Sequence, residues 1–477
     1  MTRSVAALRR TSALGWGAVS LLAAVAVCLP TRAVAAEPDD SDRYSLHAEA
    51  HSYLRLFQRS LLPGAGGARV STQTWVPLHQ YVTVRALDLD TAWSRDSVDV
   101  ELSAWGSAAV LFVDRRPDAD AERLLDGDVT IANVRHRVGP AHVRIGRQIV
   151  VAGVSRFSQL DGISAGARTD FGLGIDGYGG MTVLPRWAEQ PGYYHLGSAA
   201  DSLLRRPDAL PEPSRTQNLM FGSRLFYEHP RYGGLGASVH HQSEGGELGR
   251  RDVGLDAALS AIDDVSLLVD GFLDTDSGGL VEARALLDTR PVERVDLNFG
   301  YRRAEPALLL SRQSVLSVFS TDRFDEVGGE LGFRATSRWR MGGGGFVQVF
   351  GGEDLGTRLS LSTRIVPDDA KRVALQFALG RVAERENGYW SGRASLRFQL
   401  LEPAAVTAEQ YTYVYDAAIR GIGTSTVEAL SADYAVTPAL KLLLGTSLTR
   451  SPYAAWDAQT VVRASYVFDG LPGGGGS

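Results

Sequence analysis

The chain has 477 residues, 44% hydrophobic and 22% charged, with a formal net charge of −6. That hydrophobicity excludes a disordered polymer, and the acidic balance argues against a nucleic-acid partner. The single cysteine is Cys28, so beyond the N-terminal leader there is no disulfide framework, thiolate metal site or thiol nucleophile.

Arg3, Arg9 and Arg10 form a basic start, and no charge follows from Thr11 to Thr31. Small residues at Ala33, Ala35 and Ala36 then precede the polar EPDDSD. This order predicts a cleaved secretory signal over 1–36, with a membrane anchor as the alternative. Val27 before Cys28 disfavours lipidation. Residues 1–36 hold four arginines and no acid, which leaves a net charge of about −10 on the rest.

From Arg43 the pattern changes to a period of two. Leu46, Ala48, Ala50, Leu54 and Leu56 share one face of a strand, opposite Arg43, His47, Glu49, His51 and Arg55. Further strands are expected near 78–92, 97–112, 128–138 and 140–150. Later segments alternate more cleanly. Val281, Ala283, Ala285 and Leu287 oppose Glu282, Arg284 and Asp288, and Phe299 and Tyr301 oppose Gly300 and Arg302. Leu359 and Leu361 oppose Arg358, Ser360 and Arg364. In YWSGRASLRFQL, Trp390, Leu396, Phe398 and Leu400 oppose Arg393, Ser395, Arg397 and Gln399. Strands apolar on one side and wet on the other, repeated along the chain, predict an all-β transmembrane antiparallel barrel.

Short turn-like links (HPRYGG, AIDDV, TRPVER, VPDDAK, EPAAV, VTPAL) alternate with longer ones, notably 185–216 and 304–324. Threading the chain with short periplasmic turns and both termini inside gives about 22 strands over 37–470, or 18–20 if weak segments merge. Residues 140–184 must then divide into three strands. Val462, Ala464, Tyr466 and Phe468 make an apolar last strand, which resembles the insertion signal of bacterial outer-membrane barrels. Residues 471–477 form a Gly-rich tail.

A wall that uses nearly the whole chain implies a water-filled lumen without a separate plug domain. Arg302, Arg358, Arg364, Arg393 and Arg397 are expected to line it, with Asp270, Glu282 and Asp296. These charges either create a field favouring hydrated solutes or pair across neighbouring strands and stiffen the wall. In 185–216, Trp187, Tyr193, Tyr194, Arg205 and Arg206 form either a sugar-binding platform or an anchored solvated loop. The link 304–324 is apolar enough to pack into the mouth, on another chain or at the membrane interface.

The stretch AHVRIGRQIVVAG from Ala141, followed by Leu160-Asp161-Gly162 and GISAGART, resembles a strand–loop–strand unit of the alginate-export and related large porin families. The resemblance covers about a tenth of the chain. It implies a channel-facing arginine at Arg147 with Asp161-Gly162 as the loop partner, which requires a bulge or a shifted face because alternation from Arg144 puts Arg147 on the opposite face.

No serine, histidine and acid stand at a catalytic spacing, and no HExxH, P-loop or calcium-loop pattern occurs. The adjacent His240 and His241 point to opposite faces. The sequence therefore predicts no enzyme, cofactor or metal. It predicts a bacterial outer-membrane channel for hydrophilic solutes, whose partners are membrane lipid and the barrel-insertion machinery. One alternative is the outer-membrane conduit of an exopolysaccharide export pathway, docked to periplasmic export proteins. Another is a structural barrel in an envelope-spanning motility or secretion complex. A soluble β-sandwich would have to bury the faces assigned to lipid.

Overall fold

A computed structural model describes residues 45–61, 72–90, 97–114, 125–151, 158–183, 218–244, 246–305, 323–351, 354–368, 370, 372–384 and 387–470. The strands in chain order begin with β1 (Ser45–Leu61), β2 (Thr72–Asp90), β3 (Ser97–Asp114), β4 (Leu125–Val138), β5 (Ala141–Val150), β6 (Ser158–Arg168) and β7 (Leu173–Thr182). Next come β8 (Leu219–His229), β9 (Gly233–Glu244), β10 (Glu247–Ile262), β11 (Val265–Asp274), β12 (Gly279–Val292), β13 (Val295–Ala304) and β14 (Phe324–Arg334). The last are β15 (Trp339–Phe350), β16 (Asp354–Ile365), β17 (Val373–Ala383), β18 (Tyr389–Leu401), β19 (Ala404–Ile419), β20 (Ile422–Ala435), β21 (Leu440–Arg450) and β22 (Ala454–Gly470).

All belong to one 22-stranded sheet in which each strand pairs antiparallel with its neighbours in sequence, and β1 pairs with β22. Closure removes both ends of the sheet, so every strand has a backbone partner on each side along most of its length. Residues 140–184 do divide into three strands, β5 to β7, and residues 407–435 into β19 and β20.

The start of β1 and the end of β22 lie at one rim. The links at that rim are short, such as 139–140, 263–264, 402–403 and 436–439, whereas 183–218 and 305–323 belong to the opposite rim. Only the barrel's alternation is needed to place them. At the far rim β19 and β20 are joined by Arg420-Gly421, both at positive φ (51° and 80°), a two-residue turn whose twist matches the strands it joins.

One face of the wall carries the large apolar side chains. Leu361 is 60% exposed, and Leu359, Phe377, Leu379, Trp390, Leu396 and Phe398 are also exposed. In water each such side chain would forgo roughly 1.5–3 kcal/mol of burial; against hydrocarbon it forgoes nothing. The closed sheet with an apolar exterior is a transmembrane barrel, and its compartment is the outer membrane.

Two features break the regular wall. Val281, expected among the apolar exterior, is fully buried. The β11–β12 register shifts beside it, between Phe272 and Leu273, so the bulge takes Val281 out of the alternation. The second break is between β4 and β5. Their ladder runs from Val138–Ala141 only as far as Ala132–Arg147, although both strands continue. Beyond it, among the described residues, Leu125–Val129 and Ile131 of β4 pair with β3 alone, and Gln148–Val150 of β5 pair with β6 alone.

The signal over 1–36, the loop platform with Trp187, Tyr193, Tyr194, Arg205 and Arg206, most of the apolar link 304–324, and the tail 471–477 lie outside the described residues.

Candidate functional site: the inner wall

The inner face begins with cross-strand pairing. In β18, Arg393 and Arg397 alternate with the exposed apolar set, so both face inward. Arg393 donates to Glu409 of β19 at 2.6 Å and lies over the Tyr411 ring at 5.1 Å. Arg397 reaches across β19 to Asp433 of β20 at 3.2 Å. Arg358 of β16 likewise spans β15 to Glu326 of β14 at 3.2 Å, with its guanidinium 4.6 Å from the centre of the Phe346 ring. Gln348 donates to the same glutamate at 2.6 Å. Arg302 meets Glu282 at 3.2 Å, and Arg284 meets Asp270 at 2.7 Å. Asp296, near the short-turn rim, accepts from Arg290 at 2.8 Å.

This places Arg302, Arg358, Arg393, Arg397, Glu282 and Asp296 on the inward face and shows each of them paired. The pairs are weakly held individually. Arg302, Arg358 and Arg397 are 47–49% exposed although they point into the barrel, so each is worth at most about 1 kcal/mol.

Arg364 behaves differently. It stands directly opposite Arg340 of β15, which stands directly opposite Arg334 of β14. The three occupy one inward row beside the short-turn rim. Among the described residues no carboxylate forms an ion pair with any of them. Like charges placed opposite one another across strands are destabilising, and the charge of Asp296 on β13, which acts on Arg334 and Arg340 as well as on Arg290, offsets part of the row. Sequence reading singled out Arg364 alone. The tight β14–β15 hairpin is the signal that would have found its neighbour, because it fixes Arg334 opposite Arg340.

Arg147 does not join the inward set. Val143, Ile145 and Ile149 are exposed on the outer face, and Arg147 shares their parity in β5. Its guanidinium forks onto Asp161 of β6 (Nε to Oδ1 2.7 Å, Nη2 to Oδ2 2.8 Å). Nη1 reaches Asp128 of β4 at 3.1 Å and the Val129 carbonyl at 2.7 Å. The pairing with Asp161 that the local resemblance implied is present, but it closes the β4–β5 gap instead of lining the channel. Gly146 beside it has φ +118°, and a Cβ there would lie 2.2 Å from the Ala132 carbonyl oxygen. Only glycine allows β4 to approach so closely.

Inward of the same seam, Gln148 is fully buried, accepting from Ser164 at 2.6 Å and donating to the Gly162 carbonyl at 3.3 Å. Leu160, Val150 and Met220 form an apolar cluster there with Tyr178 packed on it. The Tyr178 hydroxyl is 2.6 Å from His240 Nδ1. His241 faces the other way and stacks on Phe221 at 4.7 Å. No group of three or more His, Cys, Asp or Glu among the described residues is arranged to hold a metal ion.

No family model matches the chain. No curated protein matches it either. Solved structures from Pseudomonas aeruginosa do. OpdK with vanillate aligns at 10% identity and TM-score 0.42 over 89% of this chain and 98% of that one. OccK7 (OpdD) aligns at 10% identity and TM-score 0.44 over 89% and 98%. OprD aligns at 10% identity and TM-score 0.39 over 92% and 98%.

Proposed function

We propose that the barrel is a channel passing hydrophilic solutes across the outer membrane without a chemical step. The observation that supports this is the half-exposure of inward arginines. Side chains that point into a ring of strands can remain 47–51% exposed, as Arg284, Arg302, Arg358 and Arg397 are, only where the space before them admits water. The paired charges along the wall offer hydrogen bonds to a polar solute while excluding apolar ones.

Single-channel conductance of the purified protein in a planar bilayer tests the proposal. A stable, ohmic conductance is expected. A correctly folded protein that passes no current overturns it and leaves a plugged or structural barrel.

The row Arg334–Arg340–Arg364 supports a second reading, the conduit of an acidic polysaccharide delivered by periplasmic proteins at the short-turn rim. Blockage of the current by acidic but not neutral oligosaccharides, applied from the periplasmic side, would favour it.

A further inference from the structure

We propose that the outer wall from β19 through β22 and β1 to β2 is a face on which a second copy of this chain docks side by side in the membrane. Its mark is a polar band on a wall that is otherwise apolar. Glu428 of β20 alternates with the exposed Leu430 and Tyr434, so it points outward, and it is itself exposed. Gln410 of β19, directly opposite, is exposed as well. Among the described residues neither side chain has a hydrogen-bond or ion-pair partner. Arg450 stands opposite Thr426, one outward position nearer the external rim, and forms no ion pair with Glu428. Arg147, also on the outer wall, is by contrast neutralised by Asp161. The band continues across the neighbouring strands. The hydroxyls of Thr446 on β21 and Thr460 on β22 lie 3.3 Å apart, and Ser52 of β1 donates to Gln80 of β2 at 2.5 Å.

The band sits at mid-depth. Tyr434 and Tyr466 lie on the outer face toward the short-turn rim and Trp456 toward the external rim, the places of the two aromatic girdles, and Glu428 falls between them. Acyl chains at that depth offer no hydrogen-bond donor, so a carboxylate facing them is left unsatisfied. A partner inserted in the membrane supplies what lipid cannot. The levels of the band identify that partner as another copy. Copies of one barrel insert in the same direction, so those related by an axis along the membrane normal meet at equal heights. The hydrogen-bonded register climbs toward the external rim from β19 to β2, through Gln410, Glu428, Leu448, Ala458, Gln58 and Thr74. On strands about 4.8 Å apart and tilted by about 40°, this climb brings Gln410, Glu428, Thr446, Thr460, Ser52 and Gln80 to within about 7 Å of one level. The acceptor and its donors thus share one height, where the Gln410 amide and the threonine hydroxyls of one copy meet Glu428 of the other. A foreign partner would not require this levelling. Ala408 and Ala458 beside the band let the two walls approach closely, as small residues do at contacts within membranes. The proposal is independent of whether the lumen conducts.

The test uses the full chain reconstituted in phosphatidylethanolamine–phosphatidylglycerol vesicles over a series of protein-to-lipid ratios. Beyond the leader the chain has no cysteine, so single cysteines report without background. Copies labelled with donor or acceptor dye at Ala418→Cys should show energy transfer that falls on dilution with lipid. A membrane-permeant thiol crosslinker should give dimers from Thr446→Cys and none from Leu331→Cys on another part of the wall. Glu428→Gln, which keeps size and removes the charge, should weaken association about tenfold, as for loss of a hydrogen bond to a charged group, and Gln410→Leu about fivefold. Both changes suit lipid better than the native residue, so heat-modifiable migration should show each barrel folded at least as well as the parent. Energy transfer no greater than random mixing gives, dimers formed equally from both walls, or association unmoved by both substitutions would overturn the docking face. Conductance per copy should be the same in parent and variants, so failure of the docking face and failure of the channel reading are read separately.

Discussion

Arg393 and Glu409 face each other diagonally across β18 and β19 at 2.6 Å, and each is the other's counter-charge in the lumen. Removing one therefore exposes the other. Arg393→Gln should lower the anion-to-cation permeability ratio about two- to threefold, a change near 0.5 kcal/mol in ionic partition, and Glu409→Gln should raise it by a similar factor. The double variant should return close to the parent. Reversal potentials in a salt gradient measure all three. Both side chains are partly exposed, so thermal stability should move by less than about 1 kcal/mol in either single variant.

The row Arg334–Arg340–Arg364 should give the opposite combination. Replacing Arg340 and Arg364 by glutamine relieves like-charge contact across β14, β15 and β16, so the barrel should be unchanged or more stable by a few tenths of a kcal/mol. Passage of small anions should fall. Unfolding midpoints together with anion permeability check this. A destabilised double variant would mean that the attraction of Asp296 to the row outweighs the like-charge contact.

Glycine substitution should divide sharply by position. Gly146→Ala puts a Cβ 2.2 Å from the Ala132 carbonyl oxygen at φ +118°, whereas a Cβ at Gly343 meets nothing nearer than 3.4 Å. Gly146→Ala should cost at least about 2 kcal/mol, and Gly343→Ala should be nearly neutral. Heat-modifiable migration on gels, which separates folded from unfolded barrels, measures both.

Asp368 lies in the short link between β16 and β17, outside the membrane-spanning strands. It accepts from the backbone N–H groups of Arg372 at 2.9 Å and Val373 at 3.1 Å. Those two bonds hold its carboxyl below the usual carboxylate range. Because the folded value is depressed, its contribution is fully present above the ordinary value, near pH 4, and is lost as the pH falls through the folded value. The melting midpoint should therefore decline on acidification below about pH 4, and Asp368→Asn should flatten that decline. An unchanged acid limb would show that this turn does not limit stability there.

The wall was legible because one physical rule, apolar toward lipid and polar toward water, operates at every second residue. That rule is why Phe377, Leu379, Trp390 and Phe398 identify their strands without any long-range information. Partners were not legible. Arg358 finds Glu326 two strands away and Arg397 finds Asp433 across β19, and such choices depend on register around the ring. Local backbone departures were also hidden. Nothing in the residue types around Val281 announces the bulge that buries it. Arg147, expected to line the channel, instead shares the outer parity of Ile145 and Ile149. The reason such a charge is tolerated there, a gap in the ladder with carbonyls to cap, exists only once β4 and β5 are placed side by side.

The junction of β1 with β22 has a kinetic consequence. It runs from Leu46–Gly470 to beyond Ser60–Trp456 and joins the two ends of the described chain. All other strand pairs form between sequence neighbours, by local hairpin closure. This one must wait for nearly the whole polypeptide. The entropy of closing so large a loop grows only logarithmically with its length, about 0.6 kcal/mol per doubling, so search time and not equilibrium cost delays it. Assembly should therefore pass through an open, curled sheet whose two free edges are β1 and β22. Whatever catalyses insertion has to shield those edges until they meet.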